Sequence, residues 1–324
     1  MMSTYKDAIR QALHEALTAD ERTLMFGPET QDSLPGRVND GFSEEFGTDR
    51  VRDTPISESA AVGIAVGAAA NGYRVVVDIA YADITAVCFS SIVQTAAKFN
   101  FLTSGRLRVP VVVKAPIGRY LQNGPQGAQV TASWYSNVPD LNVIMPASPQ
   151  EAYWSLKNAL DQPIPSLFLE DRSLSGRTGE LRAANPGLRA TIGRTGTDLT
   201  LIGAGRAAAL AEDAADQLRA AGISADVVSL CYARPLDRET ILSSVQKTGR
   251  AIIVQDEPPN GGYGPVVRCV LDELPFGHLR ATPRILASKD QPFPYLIEDS
   301  ILVSVKDIVS AAREMLAGKQ TKER

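Results

Sequence analysis

Short apolar runs alternate with helix-length segments in two successions, one ahead of Arg172 and one after Gly196, and this repeated alternation leaves the chain few architectures. In the first succession "RTLMFG", "YRVVVDIA", "VPVVVKAP", "LNVIMPAS" and "PSLFLED" read as strands. Runs that are apolar on both faces suit a parallel sheet covered above and below by helices. Between them a helix capped by Ser3 or Thr4 carries Ile9, Ala12, Leu13, Ala16 and Leu17 at helical spacing, and further helices are predicted over 60–70, 87–99 and "SPQEAYWSLKNAL". The polar, glycine-dotted stretch 31–52 reads as a long loop bordering a site or a partner. The second succession runs "DLTLIGAG", "RAAALAEDAADQLRAAG", "ADVVSLCYA", "DRETILSSVQKTG", "RAIIVQDE", and ends in the helix "SVKDIVSAAREMLAG". A chain of 324 residues exceeds what one core usually supports. Two doubly wound α/β domains are therefore expected, at 1–175 and 197–318, joined by a Gly/Pro/Arg-rich linker at 176–196 and followed by a frayed tail at 319–324.

Composition narrows the function classes. A formal net charge of -4 offers no basic surface for nucleic acid or for an anionic membrane. Cys88, Cys231 and Cys269 are widely spaced with no C-x-x-C pair, so they read as core thiols rather than a disulfide framework or a zinc site. The first residues read as an amphipathic helix rather than a signal peptide, and no run approaches the roughly 20 apolar residues that span a bilayer. A cytoplasmic location is the expectation. The only histidines, His14 and His278, read as surface or cap residues, and no G-x-S-x-G occurs. In "LIGAGRAAA", Gly203, Gly205 and Ala208 fit a dinucleotide-binding pattern, but Asp226 falls at the start of its strand instead of the carboxyl end where a ribose would lie, and a tight strand-to-helix turn is the simpler reading.

In "DTPISESAAVGIAVGAAANG", from Asp53 to Gly72, Glu58 stands directly before an apolar helix, at the sheet edge where α/β ligand sites gather. On the residues alone, capping of the helix and a functional role both remain open. With "YRVVVDIAYAD", "VPVVVKAPIG", "GPQGAQ" and "VPDLNVIMPASPQEA", this stretch resembles the β-subunit of the thiamine diphosphate-dependent, decarboxylating component of 2-oxo acid dehydrogenase complexes. "GTDLTLIGAG", "PLDRETILSSVQKTGRAIIVQDE" and "GYGPVV" resemble that subunit's transketolase-type C-terminal domain. The resemblance implies a thiamine pyrimidine-binding domain followed by a transketolase-type C-terminal domain. It also implies that Glu58 hydrogen-bonds the cofactor's pyrimidine, because a carboxyl removed from water can share a proton with a ring nitrogen and so activate the thiazolium carbon. Ile56 is implied as an apolar contact to the ring. No G-D-G motif is present for the diphosphate and its Mg2+, so the resemblance implies an α-subunit that supplies it, in an α2β2 tetramer, with a lipoylated carrier as the acceptor.

Several positions depart from the family pattern. A family histidine corresponds to Gly127 in "GPQGAQ", a second to Asn137, the stacking aromatic to Ile84 with Tyr81 close by, and an Asp-Gln pair to Ser90-Ser91. Tyr120, Gln122, Asn123, Gln126, Gln129 and Asn137 offer neutral hydrogen-bonding groups for a substrate, and Arg119 and Lys114 offer charge for a carboxylate or phosphate. A solvated turn with no ligand contact is the plain alternative for this loop. These departures leave room for a split transketolase cleaving a ketose phosphate, including one that loads a two-carbon unit onto a lipoyl carrier. A non-catalytic assembly subunit is a third alternative, which the retained Glu58 opposes.

Overall fold

A computed structural model of the chain describes residues 1–28, 38–118, 124–295 and 297–318. In chain order the first domain contains β1 (Met2–Thr4), α1 (Tyr5–Ala19), β2 (Thr23–Gly27), α2 (Phe42–Phe46), β3 (Val51–Asp53), α3 (Glu58–Ala70), β4 (Arg74–Asp78), α4 (Ala97–Leu102), β5 (Val111–Ile117), α5 (Ala132–Tyr135), β6 (Asn142–Ile144), α6 (Pro149–Asp161) and β7 (Ser166–Asp171). Then follow β8 (Thr178–Glu180), β9 (Thr191–Arg194), β10 (Leu199–Gly203), α7 (Arg206–Ala220), β11 (Ala225–Ser229), β12 (Tyr232–Arg234), α8 (Arg238–Thr248), β13 (Ala251–Val254), α9 (Gly264–Leu271), β14 (Arg284–Leu286) and α10 (Val305–Leu316).

The larger sheet has the order β12-β6-β7-β5-β4-β2-β3, and the smaller one β14-β13-β10-β11-β9. Within each sheet the strands pair in parallel, except that β12 and β9 join antiparallel at an edge. Consecutive apolar residues on β5 bury opposite ways: Val111 and Val113 face α3, while Val112 faces α1 and α6. Each such valine contributes about 1.5–3 kcal/mol on burial. Gly27 lets β2 lie close to β4, since a Cβ there would stand 2.0 Å from the Asp78 carbonyl oxygen. The core on the α3 side runs without interruption from Val75 and Val113 through Ile202, Ile253 and Val267, so the domains share it.

The segment expected to be a linker is partly strand. β8 pairs antiparallel with β1, and β9 pairs with β11. Both are short and polar, held by backbone hydrogen bonds instead of an apolar pattern, which is why their sequence reads as loop. The expected strand "ADVVSLCYA" divides at Cys231 (φ 52°), where β11 ends and β12 crosses to the first domain's sheet, pairing Tyr232 with Ile144. Within 31–52, residues 38–52 carry α2 and β3. The helix expected over 87–99 is composite: a 3-10 turn (Ala82–Ala86) precedes it, Ser91–Ala96 is π-helical, and only then does α4 begin. The tail 319–324 lies outside the described residues.

Candidate functional site

α3 begins where the chain leaves the carboxyl edge of the large sheet. The Thr54 N–H donates to the Gly27 carbonyl, 3.0 Å, which turns the chain after β3, and Glu58 enters the first helical turn four residues later. A carboxylate there faces the unpaired amides and positive end of the helix. Its side chain is buried, 6% exposed, whereas Ile56 two residues before it is 83% exposed. The structure thus sets a sheltered acid beside an apolar side chain held out in solvent.

Neighbouring residues fix the start of α3. The Ser91 hydroxyl, at the first π-helical residue, donates to the Ser59 carbonyl, 3.0 Å, and lies 3.1 Å from the Ser59 hydroxyl. One member of the Ser90-Ser91 pair therefore clasps the helix that carries Glu58. π-Helical turns concentrate at functional sites because they shift side chains out of α register. Cys88 is fully buried, and its thiol is pushed up to about 12 by burial first and then by the Glu58 charge. It donates to the Thr85 carbonyl, 3.5 Å, and the same oxygen accepts the Tyr135 hydroxyl, 3.0 Å. Tyr81 and Ile84 are both half-buried at the carboxyl end of β4, and Ile84 leans on the shared core.

The loop after β5 is described from Gly124 onward. Arg119, Tyr120, Gln122 and Asn123 lie outside the described residues. Gly124 to Gln126 form a 3-10 turn, Gln126 is exposed, and Gln129 is half-buried with its amide donating to the Pro125 carbonyl, 2.7 Å. The Gln129 N–H reaches the Asp83 carboxylate, 3.3 Å. Asn137 is exposed just past α5.

Lys114 does not serve a substrate: it is buried, with its ammonium 3.0 Å from Asp78 and 2.9 Å from Glu170. Position 114 falls on the α1 face of β5, like Val112, so alternation carries the side chain away from the site. Burial opposes the charge, but the two carboxylates outweigh it and the Lys114 pKa is raised. Cys88 and Cys231 are core thiols as expected, and Cys269 is exposed. His14 pairs with Glu45 on the surface, and His278 meets the Gln246 carbonyl.

At the second sheet the turn that opens α7 is closed. Gly205 (φ 54°) donates its N–H to the Met145 carbonyl of the first domain, 2.9 Å, and Asp226 is occupied by Ser244, Lys247 and the Gly196 N–H. Arg206 pairs with Asp256, 2.7 Å, and Glu257 beside it is buried with no hydrogen-bond partner for either carboxyl oxygen. Burial, then the Asp256 charge, push Glu257 up to about 8. Asp171, at the end of β7, is raised to about 6, mostly by burial and also by the Asp256 charge.

Asp83 is not singled out by the sequence; Cys88 reads there only as a core thiol and Ser91 only as a departure from the family pattern. The rule that found Glu58, an acid just past a parallel strand's carboxyl end, also finds Asp83 after β4. Nothing local shows that Cys88 lies beside Glu58 or that Ser91 clasps the start of α3.

Comparison with known proteins agrees with this architecture. Residues 2–177 match the transketolase pyrimidine-binding domain and 188–308 the transketolase C-terminal domain. A pyruvate dehydrogenase E1 component subunit beta-2 from Oryza sativa is 36% identical, covering 96% of this chain and 85% of its own. The β-subunit of an acetoin:2,6-dichlorophenolindophenol oxidoreductase from Cupriavidus necator is 32% identical over 97% of both chains. A solved chain described as a split-gene transketolase, inactive beta4 tetramer, superposes with a TM-score of 0.79 at 21% identity, covering 98% of this chain and 99% of that one; it shows the same fold. By sequence and by fold, this chain belongs to the family of transketolase-type β-subunits that includes those of the E1 components of 2-oxo acid dehydrogenases.

Proposed function

We propose that this chain works with an α-type partner as a thiamine diphosphate enzyme, cleaving the carbon–carbon bond next to the carbonyl of a 2-oxo acid. The observation that carries the reading is the burial of Glu58 at the open end of α3, beside the exposed Ile56. That donor set fits the pyrimidine half of the cofactor: a sheltered carboxyl for a ring nitrogen, an apolar side chain for a ring face, and Tyr81 and Ile84 at the neighbouring strand end. When bound, thiamine diphosphate supplies a carbon nucleophile and a sink for the electron pair left by cleavage. With the cofactor bound, the Glu58 carboxyl would hydrogen-bond a pyrimidine ring nitrogen, and its shelter would keep water from competing for that bond. Gln126, Gln129, Asn137 and Arg119 are assigned to the substrate as hydrogen-bond donors and a carboxylate partner.

The diphosphate and Mg2+ are assigned to the α-type partner, since this chain has no G-D-G run. Among the described residues, no group of three His, Cys, Asp or Glu side chains is placed to hold a metal. A partner-facing surface is in keeping with the exposed Ile56, Ile64, Val87, Phe101 and Leu102 on and around α3 and α4. An α2β2 assembly and transfer of the acyl unit to a lipoylated carrier complete the proposal.

Co-expression with an α-type chain, followed by assay of carbon dioxide release from pyruvate and from branched 2-oxo acids with thiamine diphosphate and Mg2+, tests it. Release by the pair and by neither chain alone is expected. Release of an aldose phosphate from a ketose phosphate, without carbon dioxide from any 2-oxo acid, would replace this reading with a split transketolase.

A further inference from the structure

The 3-10 turn Ala82–Ala86 lies between the two halves of the candidate site. On one side Thr85 accepts from Cys88, whose thiol senses Glu58. On the other, Asp83 accepts the Gln129 N–H, 3.3 Å, from the loop assigned to the substrate. Gln129 is, among the described residues, the point at which the loop is tied to the turn. Among the described residues the other Asp83 oxygen is buried without a hydrogen-bond partner and no cation pairs with the carboxyl, and burial, the leading cause, raises its pKa. An acid kept there at such a cost needs a return.

Among the described residues the loop has few other anchors. Gly124 (φ 62°) rests against Tyr295, Ala128 is buried with Phe293 and Ile301, and the remaining bonds are internal to the loop: Gly127 N–H to the Gly124 carbonyl and the Gln129 amide to Pro125. Apolar packing holds Ala128 but does not fix the rotation of the backbone on either side. The Asp83–Gln129 bond does, and so sets where Gln126 and Gln129 point.

We infer that Asp83 is a positioning residue for substrate binding: its carboxyl oxygen pins the Gln129 amide and thereby orients the 124–129 loop at the carboxyl end of β4. The inference rests on the proposed function for its kinetic consequence, while the pinning itself can be read without turnover. Asp83→Asn keeps an acceptor oxygen for the Gln129 N–H; Asp83→Ala removes it.

Both variants are prepared in the assembly with the α-type partner. In Asp83→Ala, donor KM is expected to rise about tenfold with kcat within about threefold, the split that lost ground-state binding produces. Amide exchange across 124–130 should quicken about tenfold, while exchange across α3 stays as in the wild type. Asp83→Asn should restore both measures to within about threefold. Unchanged exchange in Asp83→Ala, or an Asp83→Asn variant as perturbed as Asp83→Ala, would overturn the inference. If the wild-type assembly cleaves no 2-oxo acid, the proposed function falls, and the exchange comparison still decides the role of Asp83.

Discussion

α3 and α7 begin alike, each following a parallel strand through a tight turn at a sheet's carboxyl edge, yet they end up with opposite surfaces. α7 is amphipathic. Ala207, Ala211, Ala214 and Leu218 are buried, and the outer side carries Glu212, Asp213 and Asp216 in ion pairs with Arg177 and Arg194. α3 has no polar face beyond its first turn: Ala61, Val62, Ala65 and Val66 are buried, and Ala60, Gly63, Ile64 and Gly67 face outward. The turns differ in the same sense. Gly205 is stoppered by Met145, whereas Glu58 sits at an end flanked by exposed Ile56. Of two similar units, one is finished within the chain and the other is left with an exposed apolar face.

The sharpest way to break this comparison is at Glu58. Glu58→Gln should lower turnover of the assembled enzyme by about 10²- to 10⁴-fold, the range for a lost proton-transfer group, while the melting temperature stays put. An active variant would make the two helix starts equivalent. Next in size, Ile64→Asp on α3 should prevent co-purification with the α-type partner, whereas Gln217→Glu on the outer face of α7 should leave the complex intact in sedimentation. A complex that survives Ile64→Asp would show that the open face of α3 is not a seam.

The remaining two effects concern the closed side. Glu257 has a folded pKa near 8 against an ordinary value of 4.5. Between those values the folded chain holds a proton that the unfolded chain has released, so wild-type stability falls as pH rises through that window and levels off above it. Denaturant titrations should find Glu257→Gln more stable by a few kcal/mol at pH 8 and no different below pH 4. A gap independent of pH would mean that Glu257 is not held protonated. Smallest, Gly205→Ala should cost about 1–2 kcal/mol, because its positive φ suits glycine, with specific activity unchanged per folded molecule.

Much of this was legible in the sequence, and the residues show why. The apolar runs of β4, β5 and β7 announce buried parallel strands, and Glu58 is conspicuous because an acid directly before so apolar a helix requires a reason. Lys114 misleads, since a lysine in an otherwise apolar run reads as a free charge. Its partners, Asp78 and Glu170, are brought to it by strands far apart in sequence. The departure of β12 from β11 is equally hidden, because "VVSLCYA" continues its apolar character across the break at Cys231. The Ser59–Ser91 clasp depends on a π-helical turn that periodicity read as ordinary helix.

The placement of β12 has a consequence for how the molecule comes apart. Because Tyr232–Arg234 completes the first domain's sheet beyond β6, cleavage within 181–190 would leave no pair of self-sufficient halves. The first fragment would expose an unpaired sheet edge prone to self-association, and the second would carry a ribbon that had lost its register. A protease nick there should leave both pieces clinging together until the whole chain melts.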